Sequence, residues 1–144
     1  MRKTLIAVAV CLLLCVPVFG AKKLIHPKEF PKGRPFSPGI LVGNTLYVAG
    51  QVGQDIKTGQ IPQDFAAEVR QTFDNINLIL KEAGFTFDDV VAVTVHLTDM
   101  KLFQEMNKVY MTYFKEPRPV RTTVGTPALA GPAARIEITV TAAK

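Results

Sequence analysis

A chain of 144 residues, 48% of them hydrophobic and with ordinary glycine and proline content, has the length and composition of one packed domain and not of a disordered tail. Its net charge of +5 falls to +3 when the first twenty residues are set aside, because Arg2 and Lys3 leave with them. So small and scattered a surplus, without an aromatic-basic strip, predicts no nucleic-acid partner.

Met1-Arg2-Lys3, the apolar run from Leu5 to Val18 and the ending Val18-Phe19-Gly20 read as a secretory signal peptide over residues 1–20. The run is too short for a membrane span, which needs roughly 20 residues, and Pro17 interrupts it. A lipoprotein signal ending at Cys15 is the rival, with bulky Leu14 standing where small residues are wanted. The expectation is an exported protein, periplasmic or extracellular, with no membrane span in the mature chain. Both cysteines, Cys11 and Cys15, fall inside the signal, so the mature chain can use neither disulfides nor thiolate nucleophiles and ligands. His26 and His96 have no companion at metal-ligand spacing, and no metal site is expected.

Residues 21–34, rich in lysine and proline, read as an exposed N-terminal arm, extended and mobile at its start, and the folded domain is placed at 35–144. Ile40-Leu41-Val42 and Thr45 to Gly50 flank Gly43-Asn44, a hairpin signal. Gly50 and Gly53 end the second strand, either as a bulge or to admit a backbone or ligand. From Gln63 to Ala83 the spacing of Ala66, Val69, Phe73, Ile76 and Leu80 predicts a helix, with Glu68, Arg70, Asp74 and Lys81 off the apolar line and Gly84 as its stop. Val90 to Leu97 reads as a strand with Val91, Val93, Val95 and Leu97 on its core face. A second helix starts at Asp99 as N-cap and carries Leu102, Phe103, Met106, Val109 and Tyr110 inward to Phe114. Strands are expected at Arg121–Val124 and Arg135–Ala142. The resulting order of strand, strand, helix, strand, helix, strand, strand predicts an α+β fold, with two helices on one face of a mixed sheet. The other face is then solvated or buried against another subunit.

Two residues are the candidates for chemistry. Arg121 follows Pro119, which pushes Arg118 towards extended geometry, and it opens a β-branched run, so its planar guanidinium stands on a fixed backbone and can offer paired donors to a carboxylate. Glu137 alternates with Ile136 and Ile138 and so projects from the opposite face to theirs, together with Arg135 and Thr139. The ordinary alternatives are a solvated strand arginine and a cross-strand Arg121–Glu137 salt bridge.

Pro35-Phe36-Ser37-Pro38, Tyr47-Val48-Ala49-Gly50-Gln51, the helix containing Asn75, Val90-Val91 through Thr94-Val95, Phe103 with Asn107-Lys108-Val109-Tyr110, Phe114, Pro119 to Val124 and Ile136-Glu137-Ile138 together resemble the Rid family of enamine/imine deaminases, RidA type. The resemblance runs from about Pro35 to the C-terminus. It implies a chorismate-mutase-like subunit assembled as a homotrimer with clefts between subunits. It also implies hydrolysis of small 2-enamino or 2-imino acids to 2-keto acids and ammonia, with no metal or organic cofactor. Arg121 would clamp the substrate carboxylate and Glu137 would hold the attacking water, with Thr123, Phe36, Ala49 and Gly50 beside the substrate. Phe36 and Ala49 stand where the family usually has tyrosine and commonly serine, and Thr123 keeps a hydroxyl where the family has cysteine or threonine. A non-catalytic trimer that binds a small carboxylate or a partner protein is the second reading. Ribonuclease activity, a label some relatives have carried, lacks a carboxylate cluster or a histidine pair to support it.

Overall fold

The most strictly alternating run in the chain sits at the centre of the sheet. Along Ile136–Ala143 the side chains of Ile136, Ile138, Val140 and Ala142 are buried, while Glu137, Thr139, Thr141 and Ala143 point away. The computed structural model describes residues 20–144, so the expected signal peptide, but for Gly20, lies outside the described residues. In chain order the elements are β1 (Lys23–Ile25), β2 (Gly39–Val42), β3 (Thr45–Val52), α1 (Phe65–Glu82), β4 (Val90–Leu97), α2 (Phe103–Tyr113), β5 (Val120–Gly125) and β6 (Ile136–Ala143). The strands form one mixed sheet in the order β1-β2-β3-β6-β4-β5, antiparallel except for β4 with β5. That parallel pair requires a crossover, and α2 supplies it. The α+β architecture, with two helices against one face, is the one expected.

Local chemistry explains the helix ends. Asp64 accepts a hydrogen bond from the Ala67 amide at 2.7 Å and opens α1, and Gly84, at φ +77°, closes it as the predicted stop. Asp99 does cap a helix, but a 3-10 turn over Met100–Leu102 comes first and α2 begins only at Phe103. Phe73 of α1 stacks on Tyr113 at 4.4 Å and meets Tyr110 and Phe114 edge-on, which locks the two helices together above the sheet.

Three expectations are corrected. The arm is anchored: β1 pairs with β2, and Ile25 and Phe30 are buried in the core. Three residues of strand bonding and two apolar anchors outweigh its lysine-rich, proline-rich composition. In β4 it is Val90, not Val91, that faces the core, because a register irregularity between Val90 and Ala92 turns Val91 outwards. Glu68, expected off the apolar line of α1, is fully buried, and its carboxylate binds the backbone amide of Arg135 at 2.7 Å and the Arg135 Nε at 2.6 Å. Gly53 makes this packing fit, since a Cβ there would lie 2.4 Å from the Glu68 carbonyl oxygen.

Among the described residues, the second face of the sheet carries no helix. Register places Leu24, Ile40, Tyr47, Thr141, Ala92 and Val120 in one row across all six strands of that face. Leu24, Tyr47 and Val120 are 56%, 54% and 73% exposed, an apolar surface of the kind that seeks a cover.

Candidate active site

Arg121 lies on the edge strand β5 opposite Val93, on the helix side of the sheet. Its guanidinium carbon sits 4.4 Å from the centroid of the Tyr110 ring and 5.7 Å from that of Phe103, and Nη1 is 4.0 Å from the Met106 sulfur. Stacking of this kind holds the plane of the fork while leaving its N–H edges free. Thr123 follows two residues later on the same face. Its Oγ1 and the hydroxyl of Tyr110 are both buried without a hydrogen-bond partner. Burial raises the Tyr110 phenol above its usual range, and Arg121 and Arg118 oppose that rise without cancelling it. The phenol is therefore a protonated donor throughout the physiological range. Arg121 and Tyr110 line a depression of about 340 Å³ with Asn107, Met111, Arg118 and Pro119.

Glu137 occupies the opposite face, across from His96 on β4 and Val52 on β3. Of the two readings of Gly50, the bulge holds, since the β3–β6 register shifts between Val48 and Gln51, and what the glycine admits is a side chain in place of the expected backbone or ligand. That side chain is Glu137, for a Cβ on Gly50 would lie 2.1 Å from its Oε1 and 2.9 Å from its Cδ. The Ala49 amide donates to the Pro38 carbonyl at 2.9 Å, which brings the loop carrying Phe36 alongside Ala49 and Gly50. Phe36 is half exposed, with the Arg34 guanidinium over its ring at 5.8 Å. Asn75, 3% exposed, donates to the carbonyls of Val52 and Gln54 and so fixes the chain as it leaves β3. His96 Nδ1 is buried without a partner beside this group.

The two halves do not meet within one chain. β4 lies between β5 and β6, and Arg121 and Glu137 stand about three residues and two strand spacings apart, hence about 14 Å between Cα atoms, with side chains on opposite faces. A cross-strand Arg121–Glu137 salt bridge is therefore ruled out. Among the described residues the ion pairs are Arg70–Asp64, Arg118–Glu116 and Arg135–Glu68, so neither Arg121 nor Glu137 has a counter-charge. Nor does Arg135 share the face of Glu137, as alternation predicted. It precedes β6 and turns inwards to Glu68 and to the carbonyls of Pro62 and Gln63.

Tyr110 was legible only as a core residue, since helical spacing marks the ring and says nothing of an unpartnered hydroxyl. A larger hollow, about 860 Å³, lies elsewhere, lined by Gln54, Asp55, Gln60, Gln71 and Pro132 among others. Its one acid is already engaged: the Asp55 carboxylate accepts from the Thr58 and Lys57 amides, which lower its pKa. Arg121 and Glu137, by contrast, form no ion pair within the chain among the described residues.

Comparison with known proteins bears on both halves. The family model described as endoribonuclease L-PSP matches residues 28–144. The chain belongs to the Rid family. A RutC family protein of Pyrococcus horikoshii is 44% identical to this Rid chain over 105 residues, covering 72% of this chain and 83% of that protein. The mouse protein named 2-iminobutanoate/2-iminopropanoate deaminase is 39% identical over 119 residues, covering 81% and 87%. Escherichia coli TdcF, solved with bound serine, superposes with a TM-score of 0.79 at 29% identity, covering 85% of this chain and 99% of that one. The match beginning at residue 28 takes in much of the segment read as an arm, in keeping with the burial of Phe30.

Proposed function

We propose that this Rid chain hydrolyses 2-enamino and 2-imino acids to 2-keto acids and ammonia, as a homotrimer whose interface clefts join Arg121 of one subunit to Glu137 of the next. The observation that carries the reading is that, among the described residues, Arg121 has no anion and Glu137 no cation, and the two stand on opposite faces of a single sheet. Two copies in a head-to-tail ring can bring them together; one cannot. The exposed apolar row on the open face supports self-association, and the name of the mouse relative supports the reaction. Serine bound to TdcF supports a ligand bearing an α-carboxylate.

In this reading the Arg121 fork takes the substrate carboxylate and fixes the plane of the adjacent C2. An enamine first tautomerises to the imine, and protonation on nitrogen makes C2 electrophilic. Glu137 accepts a proton from water as the C2–O bond forms, then returns it to nitrogen. The C–N bond breaks, ammonia leaves, the new hydroxyl loses its proton and the keto acid remains. One imine and one water give one keto acid and one ammonia, so the balance is redox-neutral. Export, proposed from residues 1–20, would put this reaction outside the cytosol.

One observation favours a non-catalytic carboxylate binder: Phe36 and Ala49 leave the Glu137 half without the hydroxyls usual in the family. RNA cleavage has less support. His26 follows β1 and His96 lies on β4, four strand spacings or about 19 Å apart across the sheet, too far to act as an acid-base pair within one chain.

Subunit mixing tests the proposal. Arg121→Ala and Glu137→Gln should each be inactive alone. Reassembled together in equal amounts, about a quarter of the interfaces in a ring would pair an intact arginine with an intact glutamate, and keto-acid release should recover to about that fraction. No recovery in verified mixed trimers would overturn the shared cleft. Failure of the wild type to release keto acid from any freshly generated 2-imino acid, 2-iminobutyrate and a dicarboxylic imine included, would favour the binder.

A further inference from the structure

Arg121 is not the only guanidinium in its hollow. Arg118 lines the same depression of about 340 Å³, and Pro117 and Pro119 restrict the backbone on both sides of it. Both cations pull on the phenol of Tyr110, which places both charges close to one hydroxyl. That hydroxyl belongs to a side chain only 3% exposed and has no hydrogen-bond partner. Arg118 already holds a carboxylate: its Nη1 is 2.6 Å from Oε1 of Glu116, a side chain 78% exposed to solvent and free to leave. A short aliphatic imino acid has one carboxylate and would satisfy Arg121 alone. It leaves Arg118 and the buried phenol unused.

We infer that this half-site takes 2-imino acids carrying a second carboxylate, the imines of four- and five-carbon dicarboxylic keto acids, and that Arg118 selects them. The inference rests on the hydrolytic reading above and names its substrate class. Arg121 holds the carboxylate next to the imine carbon. Arg118 exchanges Glu116 for the distal carboxylate, and the Tyr110 hydroxyl donates a further hydrogen bond. Arg118 acts on specificity and not on the reacting atoms, since no proton moves through it.

The test compares imines generated in situ from aspartate and from alanine by amino-acid oxidases, with keto-acid release as the readout on the intact protein. The wild type should favour the dicarboxylic imine in kcat/KM. Arg118→Ala should lower kcat/KM for that substrate roughly tenfold, the scale of one partly exposed charge-assisted hydrogen bond, and leave the alanine imine nearly unchanged. Arg118→Lys should restore part of the preference, and Glu116→Gln should increase it by freeing Arg118. Equal loss on both substrates, or no loss on either, overturns the assignment. If the wild type hydrolyses neither imine, the hydrolytic reading has failed, and calorimetry with unreactive succinate and propionate decides the ligand question separately. Tighter binding of succinate that Arg118→Ala abolishes would sustain the second-carboxylate site, and equal binding of the two acids would refute it.

Discussion

Gly50→Ala should separate activity from stability. The added Cβ would stand 2.1 Å from Oε1 of Glu137, 2.9 Å from its Cδ and 3.2 Å from its Cγ, so the carboxylate must retreat by about 1 Å or more to restore ordinary contact. These atoms belong to the outer part of a flexible side chain and can move, and Gly50 sits in β3 without a positive φ, where alanine is the better strand residue by roughly 0.5–1 kcal/mol. Folding stability should therefore hold or rise slightly. Catalysis should not, because a misplacement of about 1 Å costs on the order of 10² in rate. The contrast is Gly53→Ala, where the nearest atom is the backbone carbonyl oxygen of Glu68 at 2.4 Å, inside α1. That atom cannot swing aside, and overpacking there should cost about 1–3 kcal/mol. Thermal unfolding and keto-acid release, measured on both variants, give the comparison. If Gly50→Ala keeps turnover within a few-fold of the wild type, Glu137 does not act from the position it holds over Gly50.

Arg121→Ala should abolish both binding and turnover, a loss of ~2–5 kcal/mol, and Arg121→Lys should rescue little because a point charge lacks the planar fork. Glu137→Gln should still bind keto-acid analogues while turnover falls by about 10²–10⁴; unchanged turnover in a folded trimer would remove Glu137 from the mechanism. Glu68→Ala should destabilise by about 3–5 kcal/mol, since it strands the Arg135 guanidinium and amide, and a shift in denaturation midpoint near zero would show that water replaces the carboxylate. Mass spectrometry of the native protein should find an N-terminus at Ala21, and one at Met1, or a lipid on Cys15, would refute soluble export.

The architecture was legible because its strongest signals are periodic. Ile136, Ile138 and Val140 at period two, and Val69, Phe73, Ile76 and Leu80 at helical period, announce which faces are buried, and both runs lie where expected. What periodicity cannot carry is pairing between distant segments. Glu68 looked like a solvated helix residue because its partner, Arg135, is 67 residues away. Val91 looked like core because a bulge leaves no mark on a sequence as rich in valine as Val90 to Val95. At the site, Arg121 and Glu137 could be picked out as residue types on particular strands. Their separation could not, because strand order, with β4 between them, is decided by the whole sheet.

The Arg135–Glu68 pair also acts on β6 as a datum. A strand whose side chains alternate can slip by a single residue, and such a slip would carry Glu137 into the apolar layer and turn Ile136, Ile138 and Val140 outwards. Arg135 stands immediately before the strand, held through its amide and guanidinium by Glu68 and through Nη2 by the carbonyls of Pro62 and Gln63, while its own carbonyl accepts from the Thr98 amide at 3.0 Å. Five bonds to three separate stretches of chain leave the strand one starting point. The phase of the strand, and with it the side of the sheet on which the carboxylate emerges, is thus set two residues upstream by a side chain that touches no substrate.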